Sequence, residues 1–170
     1  RGVTFTNHHI NSAVCTSSRS VIYTGQHIQF TKLFDNMDVP WMKDLSHDIP
    51  TLGDMLSEAG YYAAYKGKWH LSKELGTHNE QALPQEKLTQ VIESYGFKDY
   101  VGIGDVIGDT RGGYLNDDII GAQAQHWLRG NGQSMNQQGK PWFMAVNLVN
   151  PHDTMFYNTD APGQNVQGNP

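Results

Sequence analysis

The sequence predicts an α/β fold, and three stretches carry that prediction. From Ile49 to Tyr65 a Pro-Thr helix start, apolar residues at helical spacing, a glycine and a short apolar run follow one another, which is half of a βαβ unit. Trp142 to Val149 is an almost unbroken apolar run of strand length, continuous enough to predict burial on both faces. It closes on Asn150-Pro151-His152-Asp153, a polar cluster where open α/β sheets place ligands, at the carboxyl end of a parallel strand.

In chain order, Gly2 to His8 alternates Val3 and Phe5 with Thr4 and Thr6 and reads as a short strand. Arg19 to Thr24 reads as a short helix with Ser17 or Ser18 as N-cap and Gly25 just past its end. Residues 26 to 48 show no period and read as a long irregular excursion. Thr51 caps the next helix, with Leu52, Met55, Leu56 and Ala59 on its apolar side, and Tyr61 to Tyr65 is the buried strand that follows Gly60. Gln85 to Tyr95 predicts a helix with Leu88, Val91 and Ile92 inward, Asp99 to Ile103 a weak strand, and 102 to 113 a Gly- and Asp-rich loop. Tyr114 to Arg129 is the longest helix candidate, stopped by Gly130 and Gly132, with Leu115, Ile119, Ala122 and His126 on its apolar side and Ile120 and Trp127 on adjoining rows. The polar stretch 159 to 170 reads as a flexible loop or tail.

Composition bounds the function. The 170 residues carry 12 Lys+Arg against 17 Asp+Glu, a net charge of −5, so no basic stripe points to nucleic acid. No apolar run approaches the roughly 20 residues of a membrane span. Cys15 is the single cysteine, which excludes an internal disulfide and every all-cysteine metal site. Composition leaves it open whether Cys15 is a buried small hydrophobe or the residue that does chemistry.

Its surroundings could support either reading. Cys15-Thr16-Ser17-Ser18-Arg19 runs into a helix start, where free backbone N–H groups favour a thiolate or a bound anion, and Arg19 adds a planar fork. Gly67-Lys68-Trp69-His70 ends a strand, and the i, i+2 spacing puts Lys68 and His70 on one face of an extended segment. Pro151-His152-Asp153 is the third cluster, readable also as a turn with an Asp cap. Each lies at the edge of a core element, where site residues of α/β folds lie. The other histidines read as structural or solvated: His8 and His9 as local hydrogen-bonding groups, His27, His47 and His78 as loop residues, His126 as a satisfied core residue. Asp117 and Asp118 read as first-turn carboxylates, and Asp105 and Asp109 lack the spacing of a calcium loop.

Cys15 to Gly25 resembles the first signature of the sulfatase family, C-x-P-S-R followed by a short helix ending in T-G. Gly60 to Leu71 resembles its second, G-Y-x-T-x-x-x-G-K-W-H-L, and Pro141-Trp142-Phe143 followed by Pro151-His152 is similar to its third block. The resemblance implies an alkaline-phosphatase-like sandwich, a largely parallel mixed sheet flanked by helices, of which residues 1–170 would be one part of a single catalytic domain. It implies that the formylglycine-generating enzyme oxidises Cys15 to formylglycine, whose hydrated aldehyde attacks the sulfur of a small-molecule or sugar sulfate ester. The alcohol leaves, and the covalent sulfate adduct collapses to regenerate the aldehyde. Arg19 would hold the hydrate, Lys68 would bind sulfate oxygens, His70 would act as base in the elimination, and His152 would bind sulfate or protonate the leaving oxygen. A divalent cation, Ca2+ or alternatively Mg2+, would activate the hydrate, with residue 15 as formylglycine among its ligands.

Two departures from the family pattern matter. Ser17 stands where the family has Pro or Ala, at a position the modifying enzyme reads. The family's remaining metal ligands come from a paired-aspartate strand near the N-terminus and an Asp-Asn or Asp-His-Gly segment after the third block, and neither pattern is in these 170 residues. The expectation is therefore an internal segment, inactive when isolated, that lacks the N-terminal metal-binding strand and the C-terminal portion. Two alternatives stay open: a phosphonate or phosphate ester hydrolase on the same scaffold, and a catalytically silent, binding-only homologue. Periplasmic, secreted and cytoplasmic bacterial locations are all compatible with the sequence. Residues 26 to 48 and 72 to 84 are expected to form the substrate rim.

Overall fold

The computed structural model describes residues 2–76, 83–102, 104–106, 110–157 and 159–164. Its helices are α1 (Cys15–Thr24), α2 (Ile28–Thr31), α3 (Leu52–Glu58), α4 (Gln85–Glu93), α5 (Gly112–Trp127) and α6 (Gln133–Gln137). The strands are β1 (Tyr62–Gly67) and β2 (Trp142–Asn147). They pair in parallel, Tyr62 opposite Trp142 through Gly67 opposite Asn147, so both chains emerge at the same end of the sheet. The α/β class holds, and the described residues contribute a two-stranded parallel sheet with flanking helices, as expected of one part of a larger domain.

The helix–strand unit forms as its sequence dictates. Thr51 Oγ1 accepts from the N–H groups of Gly53 (3.0 Å) and Asp54 (3.4 Å), and the Asp54 carboxylate accepts from Thr51 N–H (2.8 Å), a complete capping box. Only Leu52 and Leu56 pack toward the core, while Met55 and Ala59 are exposed. β1 follows at once, with Ala63, Ala64 and Tyr65 fully buried. In α4 the inward residues are Leu88, Val91 and Ile92, as the spacing predicts. At the centre Trp69 lies among Tyr23, Tyr65, Tyr95 and Phe97, with ring centroids 5.1 to 5.9 Å away. Such tilted and edge-on contacts are the favoured aromatic geometry, and they fix the backbone that follows β1.

Several expectations change. Residues 2–10 are exposed and form no strand, because no described segment supplies backbone partners for them. Of the strand expected at 99–103, residues 99–102 form none and 103 lies outside the described residues; Lys98 makes a parallel bridge with Ala64, and Asp99 at φ +57 then turns the chain away. β2 is only half-buried, with Val146 42% exposed, since its far edge pairs with nothing among the described residues. Helix α5 starts earlier, at Gly112, and turns Ile120, Ala124 and Trp127 inward, leaving Leu115, Ile119, Ala122 and His126 exposed. Gly130 and Gly132 do not stop it. The chain continues through a π turn, Leu128–Gly132, into α6, and Gly132 packs against the ring of Trp127. The tail is irregular over 159–164.

Candidate functional site

Cys15 is the first residue of α1. The Ser18 N–H already bonds the Val14 carbonyl (2.9 Å), so the helix begins before the serines expected to cap it, and Val14 is the N-cap. Cys15 thus sits half-exposed in the first turn, at the positive end of the helix dipole. Thr16 pins this turn. Its N–H donates to Asn36 Oδ1 (3.1 Å), its hydroxyl donates to the His70 carbonyl (3.0 Å), and the Met37 N–H donates back to that hydroxyl (3.2 Å).

Arg19 lies one turn further on. Its Nε donates to the Trp69 carbonyl (2.5 Å), and Nη2 to the Lys68 carbonyl, the Tyr65 hydroxyl (3.0 Å) and Asn147 Oδ1 (3.2 Å). Burial opposes its charge, but Tyr65, Tyr23 and Asp105 outweigh burial and hold the guanidinium above its ordinary pKa. These donors fasten α1 to the segment after β1.

That segment turns sharply. Gly67 has φ +88, and a Cβ there would collide with the Asn147 carbonyl and the Ile120 side chain, so only glycine fits where β1 ends. Lys68 and His70 are therefore not on an extended strand, and His70 itself has φ +57. Strain of this kind at a non-glycine residue is held by its surroundings. Here Asp105 holds it: the buried carboxylate accepts the N–H groups of Trp69 (2.5 Å) and His70 (2.6 Å). Burial raises Asp105 to about 6, against the pull of those N–H groups and of Arg19 and Lys68.

The turned segment nevertheless gathers the expected side chains. Lys68 is buried. Burial lowers its pKa, with the nearby Cys15 opposing and Arg19 adding to the fall. His70 is 1% exposed, its Nε2 lies 3.2 Å from Asp38 Oδ1, and burial together with Lys68 lowers it to about 4. His152 follows the end of β2; burial and Lys68 lower its pKa, while Asp153 and Asp38 oppose. Cys15, Lys68, His70 and His152 thus share one electrostatic neighbourhood beyond the carboxyl ends of β1 and β2, with Arg19 behind it. The Nδ1 atoms of His70 and His152 are buried without a partner. Neutral imidazoles with open hydrogen-bonding positions beside a desolvated ammonium suit a small tetrahedral oxyanion and a proton transfer.

Four carboxylates at the site carried no such role in the sequence reading. Asp38 and Asp105 hold His70. Asp117 is not a first-turn residue of α5; it accepts the N–H groups of Val149 (2.6 Å) and Asn150 (3.0 Å). Asp153 in turn accepts from Gly113 and Tyr114 (both 2.9 Å), capping α5 from a distance, and these backbone bonds hold its pKa down. The reciprocal pair locks the loop that presents His152 against α5. None of these partners is near in sequence, so no local pattern announces them.

The remaining histidines lie elsewhere. His9 bonds Asn7 (2.8 Å), His27 caps α2, His47 stacks on Tyr95 (4.3 Å between centroids), and His126 is exposed rather than a core residue. His78 and Asp109 lie outside the described residues. The 26–48 excursion reaches the site through Asp38, while part of the other expected rim segment, 77–82, is not described. Among the described residues no helix is long and apolar enough to cross a membrane.

The family model described as "Sulfatase" matches residues 1–170. An arylsulfatase of Hemicentrotus pulcherrimus is 41% identical over 73 residues, 41% of this chain and 13% of that protein. A Delta 4,5-hexuronate-2-O-sulfatase of Bacteroides thetaiotaomicron is 34% identical over 70 residues, 41% of this chain and 15% of that protein. Arylsulfatase K of Danio rerio is 26% identical over 169 residues, 98% of this chain but 30% of its own length. Among solved structures, a 2-O GAG sulfatase superposes with a TM-score of 0.57 at 22% identity, covering 95% of this chain and 32% of that one, which shows a shared fold. The chain thus spans less than a third of the length of these relatives.

Proposed function

The chain belongs to the sulfatase family, and from that premise we propose that it carries the nucleophile and much of the sulfate pocket of an enzyme that hydrolyses sulfate monoesters. The observation that carries this reading is the convergence of Cys15, Lys68, His70 and His152, with both imidazole Nδ1 atoms buried and lacking partners. The net reaction joins water to a sulfate monoester and releases an alcohol and hydrogen sulfate.

Oxidised to formylglycine, Cys15 supplies a hydrated aldehyde as nucleophile. Its place in the first turn of α1 sets it beside Lys68, whose ammonium binds sulfate oxygens. His152 donates a hydrogen bond to the sulfate or to the departing oxygen, and His70, neutral at neutral pH, accepts a proton. Arg19 keeps Lys68 and His70 in place through the carbonyls of Lys68 and Trp69. The family's divalent cation needs about six or more oxygen ligands when it is calcium. Among the described residues no three His, Cys, Asp or Glu side chains gather to hold a metal ion, so these residues do not by themselves make a cation site.

The test is turnover of an aryl sulfate by the full-length protein, beside an aryl phosphonate and an aryl phosphate. Sulfate turnover that C15A abolishes, with the Cys15 peptide about 18 Da lighter than its thiol form, supports the reading, since that mass loss runs opposite to ordinary cysteine oxidation. An unmodified Cys15 with no sulfate turnover defeats it.

A further inference from the structure

We propose that Asp38 is a positioning residue for His70, fixing the imidazole as the tautomer protonated on Nε2 and leaving Nδ1 as the lone-pair acceptor. His70 Nε2 lies 3.2 Å from Asp38 Oδ1. An ionised carboxylate only accepts hydrogen bonds, so the proton of this contact sits on Nε2. The other ring nitrogen, Nδ1, is buried and has no partner. A buried polar atom without a partner is uncommon in a native protein and calls for a reason. The reason offered by the tautomer is that a lone pair waits there for a donor.

The contact is built into the fold rather than incidental. Asp38 itself is 44% exposed, yet the residues just before it are fastened to the start of α1. Asn36 Oδ1 accepts from the Thr16 N–H, Met37 N–H donates to the Thr16 hydroxyl, and that hydroxyl donates to the His70 carbonyl. The Asp38–His70 bond closes this ring, so one threonine sets both the backbone of His70 and the loop that holds its ring. From the other side Asp105 grips the His70 N–H. His70 is thus clamped at its backbone amide, its backbone carbonyl and ring Nε2, which leaves Nδ1 as the open position of the ring. The charged groups acting on the ring are Lys68, Asp38 and Arg19, with Asp105 on the His70 amide.

This deepens the sulfatase reading, in which the donor is the hydroxyl borne by residue 15, but the tautomer can be measured without it. Long-range 1H–15N correlation of the 15N-labelled full-length protein at neutral pH, with His70 assigned by the signal missing in H70Q, reports which nitrogen is protonated. The expected wild-type pattern is Nε2 protonated and Nδ1 bare, and D38A should show the two tautomers averaging. A wild-type His70 protonated on Nδ1, or a D38A spectrum unchanged at His70, overturns the proposal. The wild-type spectrum decides even if D38A does not fold. With aryl sulfate as probe, D38A should lower kcat about 10- to 100-fold with little change in KM, as losing the outer partner of a functional histidine does. Full kcat in D38A also overturns the positioning role. Absence of turnover in the wild type itself counts against the sulfatase reading and leaves the tautomer result standing.

Discussion

Replacing Asp105 by Asn should change how stability depends on pH, because this carboxylate is the buried charge that holds the Trp69 and His70 amides. Its pKa rises from 3.8 to about 6 on folding, chiefly by desolvation. A raised pKa means that the protonated form is the one the fold favours, so the stabilisation is complete below 3.8 and is lost as pH climbs through 6. At about 1.36 kcal/mol per pKa unit the whole effect is about 3 kcal/mol, of which about 2 falls between pH 4 and pH 7. D105N cannot ionise and lacks this dependence. It also replaces one acceptor by an amide that faces an N–H, a cost of about 1–3 kcal/mol at every pH. The stability deficit of D105N should therefore be largest at pH 4 and shrink by about 2 kcal/mol at pH 7. Urea unfolding of both proteins across this range, followed by tryptophan fluorescence, measures the difference and cancels every titration the two share. A deficit constant to within about 0.5 kcal/mol, or one that grows with pH, would refute the placement of a desolvated carboxyl at this turn.

Three further outcomes follow from the same geometry. Burial and Lys68 depress His70 from 6.5 to about 4, so its neutral form stabilises the fold above 6.5 and that contribution, about 3 kcal/mol, is lost as pH falls through 4; H70Q should be less acid-sensitive than the parent in urea titrations, and equal sensitivity would count against the buried ring. Gly67→Ala forces a Cβ against the Asn147 carbonyl at φ +88 and should cost more than about 3 kcal/mol or prevent folding, read by thermal unfolding; a near-normal midpoint would mean that the β1 exit is looser than described. Thr51→Ala removes the helix cap and the hydroxyl bond to the Tyr95 carbonyl (2.6 Å), for a loss of about 2 kcal/mol that Thr51→Ser largely restores.

How much of this was legible in the sequence depends on how local each cause is. The Thr51 cap, the burial of β1, the inward face of α4 and the placing of His152 beyond a parallel strand all follow from neighbouring residues, and each forms as read. Helix α5 defeats the same reasoning because it carries apolar residues on both sides. Leu115, Ile119 and Ala122 compete with Ile120, Ala124 and Trp127, and the choice is made by packing against the sheet and by the Asp117 and Asp153 brackets, which periodicity cannot see. The glycines after α5 were read as stops from their propensity, yet the close approach of Trp127 to Gly132 lets the helix run on through a wider turn.

The Lys68–His70 pair shows how a correct grouping can rest on a wrong geometry. Alternation along an extended strand would align the two side chains, but β1 ends at Gly67 and His70 lies in the left-handed region. What brings the pair together is a turn gripped from both sides. The Arg19 guanidinium takes the carbonyls of Lys68 and Trp69, and the Asp105 carboxylate takes the amides of Trp69 and His70. The two charges also stabilise each other, each moving the other toward its ionised form. Between them Trp69 is sealed among four aromatic rings, so the residue between Lys68 and His70 is the plug that fixes the turn. The motif Gly67-Lys68-Trp69-His70 is therefore one mechanical unit: glycine to leave the strand, tryptophan to lock the turn in the core, and lysine and histidine set by a cation and a carboxylate distant in sequence. In sequence Arg19 reads as an anion-binding fork; in the folded chain its Nε and Nη2 donors go to that turn, to Tyr65 and to Asn147. A residue can thus lie in a signature and serve it by holding the turn that carries Lys68 and His70.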